Sequence, residues 1–339
     1  MKAGPYRDHW GEELNLGIPE NCDKPLKVFV AGAGTMGHGL ALLMAWAGHE
    51  IVLSDVNEEV LDRAISSIRS HIEVLSEMGQ MEDKEIPDLI GRIQPVVGIE
   101  ALADAKLVME SISEDLHTKK AFYAKVAGLC APDAIVTSNT SYLNIFELAP
   151  ETLQERLLIT HFFAPPYLIP LVEIVKGPKT VPGVVREVRQ ILLQAGQKPV
   201  IMEKFIPGFI VNRLQRAVGR EIFHLMDGGY AGPEEIDKAV LASLGIRIPV
   251  LGVVRRYDFA GLDFALKVLS NPSIGLVNED RPSHTLEELV SKGHLGVKTG
   301  KGFYNYEGQT KDEIYRKRDK FLIRIRNLVN EIEEELWGK

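Results

Sequence analysis

Gly32-Ala33-Gly34-Thr35-Met36-Gly37 constrains the fold of this 339-residue chain more tightly than any other stretch. It fits G-x-G-x-x-G, a pattern common by chance, but its setting is specific. It follows the β-branched run Lys27–Ala31 and opens an apolar, helix-spaced segment near Thr35–Ala47. A strand, a glycine turn and a helix in that order aim backbone N–H groups at the helix N-terminus, where a pyrophosphate binds. Gly32 permits the tight turn, Gly34 the close approach of a phosphate and Gly37 the contact of helix with strand, with Thr35 and Met36 between them. Asp55 stands 23 residues beyond Gly32, closing the strand-like run from Glu50. An acid there takes the hydroxyls of an adenosine ribose and repels a 2′-phosphate, which predicts NAD in preference to NADP. The competing reading is a glycine turn with a helix-capping Asp.

The same alternation continues downstream. Strand patterns at Lys106–Glu110 and Ala134–Thr137, with helical patterns near Glu58–Met78 and Asp115–Leu129, predict an α/β fold with a doubly wound parallel sheet. Leu157–Phe162 and Leu171–Val175 flank a loop containing Pro165, Pro166 and Pro170, which suggests a hairpin-like reversal, and Lys198–Met202 supplies another strand. After Ile206-Pro207-Gly208 the period becomes helical through Phe209–Met226, Glu234–Leu244, Phe259–Leu269 and Leu286–Val290. Pro207 suits the first turn of the opening helix. A last amphipathic helix carries Ile314, Phe321, Ile325, Leu328, Ile332 and Leu336. The expected organisation is an N-terminal extension over 1–25, a Rossmann-type nucleotide-binding domain over 26–205 and an all-helical domain over 206–339.

Composition narrows the function classes. The net charge of −8 repels a polyanion, so nucleic acid is not an expected partner. Cys22 and Cys130 are too few for a disulfide framework or a zinc site, and no metal site is expected. The longest apolar run, Leu40 to Gly48, is far short of the ~20 residues of a bilayer span. The first 25 residues lack an apolar signal-peptide core, and cytoplasmic residence is the expectation.

His161 and Glu173 lie 12 residues apart, with the Pro-rich reversal between them. A hairpin would set them opposite each other, ~5 Å apart at Cβ. A carboxylate bonded to one imidazole nitrogen fixes the tautomer and leaves the other nitrogen free as a general base. Glu173 lies amid Leu171, Val172, Ile174 and Val175, and a half-buried acid requires a specific partner.

Four stretches carry a family resemblance: His161-Phe162-Phe163 with Glu173, Ser138-Asn139-Thr140-Ser141, Pro207-Gly208-Phe209-Ile210-Val211-Asn212-Arg213, and Lys298-Thr299-Gly300-Lys301-Gly302-Phe303-Tyr304. From about Lys27 to Tyr306 the chain resembles the 3-hydroxyacyl-CoA dehydrogenases, whose wider circle includes carnitine dehydrogenase, gulonate dehydrogenase and lambda-crystallin. The resemblance implies an NAD-dependent enzyme of fatty acid metabolism that oxidises a 3-hydroxyacyl-CoA to the 3-keto form, with a helical domain forming a homodimer. It implies His161 as base, Glu173 as its support, Ser141 and Asn212 as hydrogen-bond partners of the substrate oxygen, and Glu114 with Lys119 near the nicotinamide end. For Ser141 a helix cap, for Asn212 a structural amide and for Glu114 with Lys119 a solvated helix-start pair are the plain alternatives.

Three departures keep the substrate open. Ala164 stands where the family usually has Asn. The helix from Glu58 runs on into Glu73, Glu77, Glu82, Asp83 and Glu85, where thioester-using members carry lysines that meet CoA phosphates. Arg255-Arg256 is a pair the family does not generally carry, suited either to a free carboxylate or to a plain surface. The same chemistry on a free hydroxy acid, as in the carnitine or gulonate branch, and a non-catalytic NAD-binding crystallin-like role are the alternatives.

Overall fold

The computed structural model describes residues 25–278 and 281–338. Cys22 and all but the last residue of the expected extension lie outside the described residues. Eight strands form one sheet: β1 (Lys27–Ala31), β2 (Glu50–Asp55), β3 (Ile93–Val97), β4 (Leu107–Glu110), β5 (Ile135–Ser138), β6 (Leu157–Phe162), β7 (Leu171–Lys176) and β8 (Lys198–Met202). Their order is β3-β2-β1-β4-β5-β6-β7-β8. The first six run parallel, β7 reverses against β6, and β8 runs parallel to β7. Val28–Ala31, Ile51–Leu53 and Leu107–Glu110 are buried throughout, as strands covered on both faces must be.

Helices α1 (Gly37–Trp46), α2 (Glu58–Glu77), α3 (Ile86–Gly91), α4 (Leu116–Leu129) and α5 (Pro182–Gln194) connect the strands. The unforeseen β3 contains Pro95, and an edge strand is where proline is tolerated in a sheet. The unforeseen α5 opens on Pro182 and buries Val185, Val188, Ile191 and Leu192 as one stripe.

Beyond the sheet come α6 (Val211–Asp227), α7 (Pro233–Ala242), α8 (Leu244–Leu251), α9 (Arg255–Ala260), α10 (Leu262–Leu269), α11 (His284–Ser291) and α12 (Lys311–Trp337). Pro207 precedes α6 by four residues instead of sitting in its first turn. The single helix expected over Phe259–Leu269 is two, because Gly261 takes φ 89°, which a right-handed helix cannot pass through.

The chain forms two compact units. Among the described residues, one comprises those up to Ser70 with Asp83–Pro207, and the other comprises His71–Glu82 with those from Gly208 on. The last turns of α2 therefore belong with the helices. Glu73 and Glu77 both pair with Arg316, Glu77 also takes Lys320 at 2.8 Å, and Gln80 accepts from Arg326 at 2.6 Å. Glu73 and Glu77, the first two acids of the run that departs from the family pattern, are thus counter-charges of α12.

Candidate active site

The strand order changes direction between β1 and β4, and in open parallel sheets ligands bind beyond the C-terminal ends of the strands at such a point. A cleft of about 580 Å³ opens there, walled by Gly32, Gly34, Asp55, Ile112, Thr118 and Phe122 among others. Gly32 takes φ 91°, and a Cβ on it would lie 2.5 Å from the Ser111 carbonyl oxygen. A Cβ on Gly37 would collide with the Gly32 carbonyl, so only glycine lets α1 start this close to β1. Gly34 faces open space. Thr35 is exposed and Met36, the N-cap of α1, half-buried. No side chain caps α1 and no acid stands in its first turn. This uncapped N-terminus beside an open glycine is a cradle that fits a pyrophosphate.

Asp55 ends β2. Its Oδ2 accepts from the Ala33 N–H at 2.8 Å and its Oδ1 from the Val56 N–H at 2.8 Å. The carboxylate ties the glycine loop to the start of the α2 segment while lining the cleft. Among the described residues no group of three His, Cys, Asp or Glu side chains could hold a metal ion, and no helix is long and apolar enough to cross a membrane.

His161 and Glu173 are directly paired across the antiparallel β6 and β7 ladder. Nδ1 of His161 lies 2.8 Å from Oε2 of Glu173, both residues are buried, and Phe163 packs edge-on against the imidazole. With Nδ1 carrying the proton toward the carboxylate, Nε2 is left as the acceptor. Ser141 Oγ lies 3.3 Å from that Nε2. Ser141 caps no helix; it sits in the loop after β5, where its own N–H donates to Glu114 Oε1 at 2.7 Å.

Glu114 and Lys119 are no solvated pair. Lys119 is 1% exposed, with its Nζ 2.5 Å from Glu110 Oε1 and 3.2 Å from Glu114 Oε2. Lys119 is therefore held between two carboxylates. Burial opposes ionisation of Glu114, but hydrogen bonds from Thr140 and Ser141 and the charge of Lys119 outweigh it and hold its carboxyl below the usual range. Burial and the charge of Glu110 together push the Tyr123 hydroxyl well above its usual value. The sequence reading missed Glu110, although an acid closing an apolar strand nine residues before a lysine was a legible signal.

Asn212 is half-buried in the first turn of α6, in the helical unit. The guanidinium of Arg255 lies 3.4 Å from the Trp337 ring centroid, and that of Arg256 lies 4.6 Å from Tyr257. Both arginines thus have packing roles within the helical unit.

Comparison with known proteins follows the same division. The family model "3-hydroxyacyl-CoA dehydrogenase, NAD binding domain" matches residues 27–205, and "3-hydroxyacyl-CoA dehydrogenase, C-terminal domain" matches 208–306. The chain is 32% identical over 305 residues to 5-formyl-3-hydroxy-2-methylpyridine 4-carboxylate 5-dehydrogenase of Mesorhizobium japonicum, covering 89% of this chain and 97% of that one. It is 36% identical over 285 residues to 3-hydroxyadipyl-CoA dehydrogenase of Escherichia coli, covering 83% of this chain and 59% of that longer one. A crystal structure of the pyridine carboxylate enzyme, described as an NAD+ dependent dismutase, superposes with a TM-score of 0.81 at 30% identity, covering 91% of this chain and 99% of that one. An (S)-3-hydroxybutyryl-CoA dehydrogenase from Ralstonia eutropha gives 0.67 at 27% identity, covering 84% and 100%.

Proposed function

The chain belongs to the 3-hydroxyacyl-CoA dehydrogenase family, and from that premise we propose that it oxidises a 3-hydroxyacyl-CoA to the 3-ketoacyl-CoA through the pair His161 and Glu173. One observation carries the reading: Ser141 Oγ, His161 and Glu173 form a continuous chain of contacts of 3.3 and 2.8 Å ending in a buried carboxylate. NAD, when bound, supplies the hydride acceptor. His161 Nε2 takes the hydroxyl proton of the substrate, and Glu173 stabilises the imidazolium that results. The hydroxyl of Ser141, beside Nε2, donates to the substrate oxygen and holds it within reach of the base. The backbone N–H groups around Gly34, Thr35 and Met36 hold the pyrophosphate, Asp55 the ribose, and Glu114 borders the nicotinamide end.

A second reading keeps the chemistry and takes a free hydroxy acid. It is favoured by Glu73 and Glu77, which pair with α12 where lysines would suit CoA phosphates. The similar Mesorhizobium enzyme is also named for a free carboxylate. With Arg255 on Trp337 and Arg256 on Tyr257, an arginine clamp is the weaker part of that reading.

NADH formation with matched panels of 3-hydroxyacyl-CoA thioesters and their free acids tests both. Turnover of thioesters with acids inert is the expected result; the reverse preference establishes the second reading. His161→Ala should abolish turnover while leaving NAD affinity nearly unchanged, and Glu173→Gln should cost about 10²–10⁴-fold. NAD binding without turnover of either panel would leave the crystallin-like role.

A further inference from the structure

Glu110, the last residue of β4, is fully buried and has no part in the reaction scheme above. Its carboxylate accepts four hydrogen bonds: Lys119 Nζ at 2.5 Å and the Ile112 N–H at 2.9 Å on Oε1, Tyr123 OH at 2.8 Å and Ser138 Oγ at 2.5 Å on Oε2. That saturates a carboxylate. Burying a charge costs free energy that an apolar residue of similar volume avoids, so a buried acid with four chosen donors is an expensive way merely to fill a core.

Two of these donors, and separately the Glu110 backbone carbonyl, lead to the proposed reacting groups by three routes. Lys119 bridges to Glu114, whose Oε1 accepts from Thr140 Oγ1 at 2.6 Å and from the Ser141 N–H at 2.7 Å. Ser138, bonded to Glu110, accepts from the Thr140 N–H at 3.2 Å. The carbonyl of Glu110 accepts from the Asn139 N–H at 2.8 Å, and the Asn139 side chain accepts from the N–H of Phe162, the residue after His161. Two routes end on the loop that carries Ser141 and the third on the strand that carries His161.

We propose that Glu110 is a positioning residue that sets Ser141 against His161 Nε2 through Lys119, Glu114 and Ser138. The proposal rests on the reading that Ser141 and His161 meet the substrate oxygen. A donor displaced by about 1 Å from a reacting centre costs on the order of 10²-fold in rate, while binding held at the glycine loop, at Asp55 and on the rest of the substrate is largely kept.

The test is a double-mutant cycle in the full-length protein, with the substrate class that the wild type turns over. Glu110→Gln keeps the shape and withdraws the charge that Lys119 needs. It should lower kcat by about 10²-fold, with KM and the NADH Kd from fluorescence titration within about twofold of wild type. In a Ser141→Ala background the same substitution should leave kcat unchanged. Ser138→Ala removes one strand of the network without touching the charges; it should give a smaller loss, again absent over Ser141→Ala, and it carries the test if Glu110→Gln fails to fold. Equal losses in both backgrounds, or unchanged kcat in the single variants, would overturn the proposal. A Ser141→Ala variant with wild-type kcat would overturn the reading of the site itself, and the proposal with it.

Discussion

The Asp55 carboxylate both holds the Ala33 and Val56 N–H groups and faces the cleft. Asp55→Ala should raise the NAD Kd by roughly 10–100-fold, the worth of a charged hydrogen bond, and narrow the preference over NADP as the repulsive charge goes. Titration of both cofactors decides it: weaker binding of both with an unchanged ratio of affinities means that Asp55 serves the loop alone. At Glu114 the folded carboxyl titrates below the ordinary glutamate value of 4.5. A depressed folded pKa contributes stability that is complete above 4.5 and is lost as pH falls through the lower, folded value. The Tm gap between wild type and Glu114→Gln should hold at neutral pH and close on acidification below that range. A gap independent of pH would show that shape, and not charge, holds the Ser141 loop.

Among elements, α12 begins five residues past the matched C-terminal domain. Thr310 and Glu313 form a capping box at its start, so its N-terminus is defined locally. Its anchorage is electrostatic as well as apolar: Arg316 meets Glu73 and Glu77, and Ile323 is buried. A single exposed ion pair is worth about 0–1 kcal/mol, and this one gains by being part of a network. Arg316→Glu places three acids together. It should lower Tm by a few degrees and do so less in 1 M salt. Adding Glu77→Arg should recover part of the loss, and a failure to recover any would mean that α12 is held by its apolar face alone.

For the whole molecule, the helical unit is short of interior. Among the described residues α6, α8, α9, α10 and α11 bury no side chain completely, and Leu241, Phe259, Leu262 and Leu266 are each more than 60% exposed. Helices of this apolar content need a surface to cover them, and we propose a second copy of the chain as that surface. Sedimentation of the full chain should give a dimer at micromolar concentration. A monomer there would remove the argument and leave the exposed leucines to another partner.

Local chemistry was enough for much of this. The glycine loop, the strands around it and Asp55 were legible because each is specified by neighbours a few residues away: a turn needing φ 91° at Gly32, a helix start, an apolar run. The facing of His161 and Glu173 was legible too, because a proline-rich reversal between two strands leaves few registers, and the observed ladder pairs those two residues. Edge strand β3 escaped because Pro95 argues against a strand unless its position at the edge is known. The acid closing the apolar strand at Glu110 was visible in the sequence, but only tertiary structure could decide that Lys119 is buried between it and Glu114, because which charges are desolvated together depends on packing. It alone turned Glu73 and Glu77 from a missing phosphate site into the counter-charge of a helix more than 230 residues away. Pairing at that separation depends on how the chain packs, and local sequence carries no record of it.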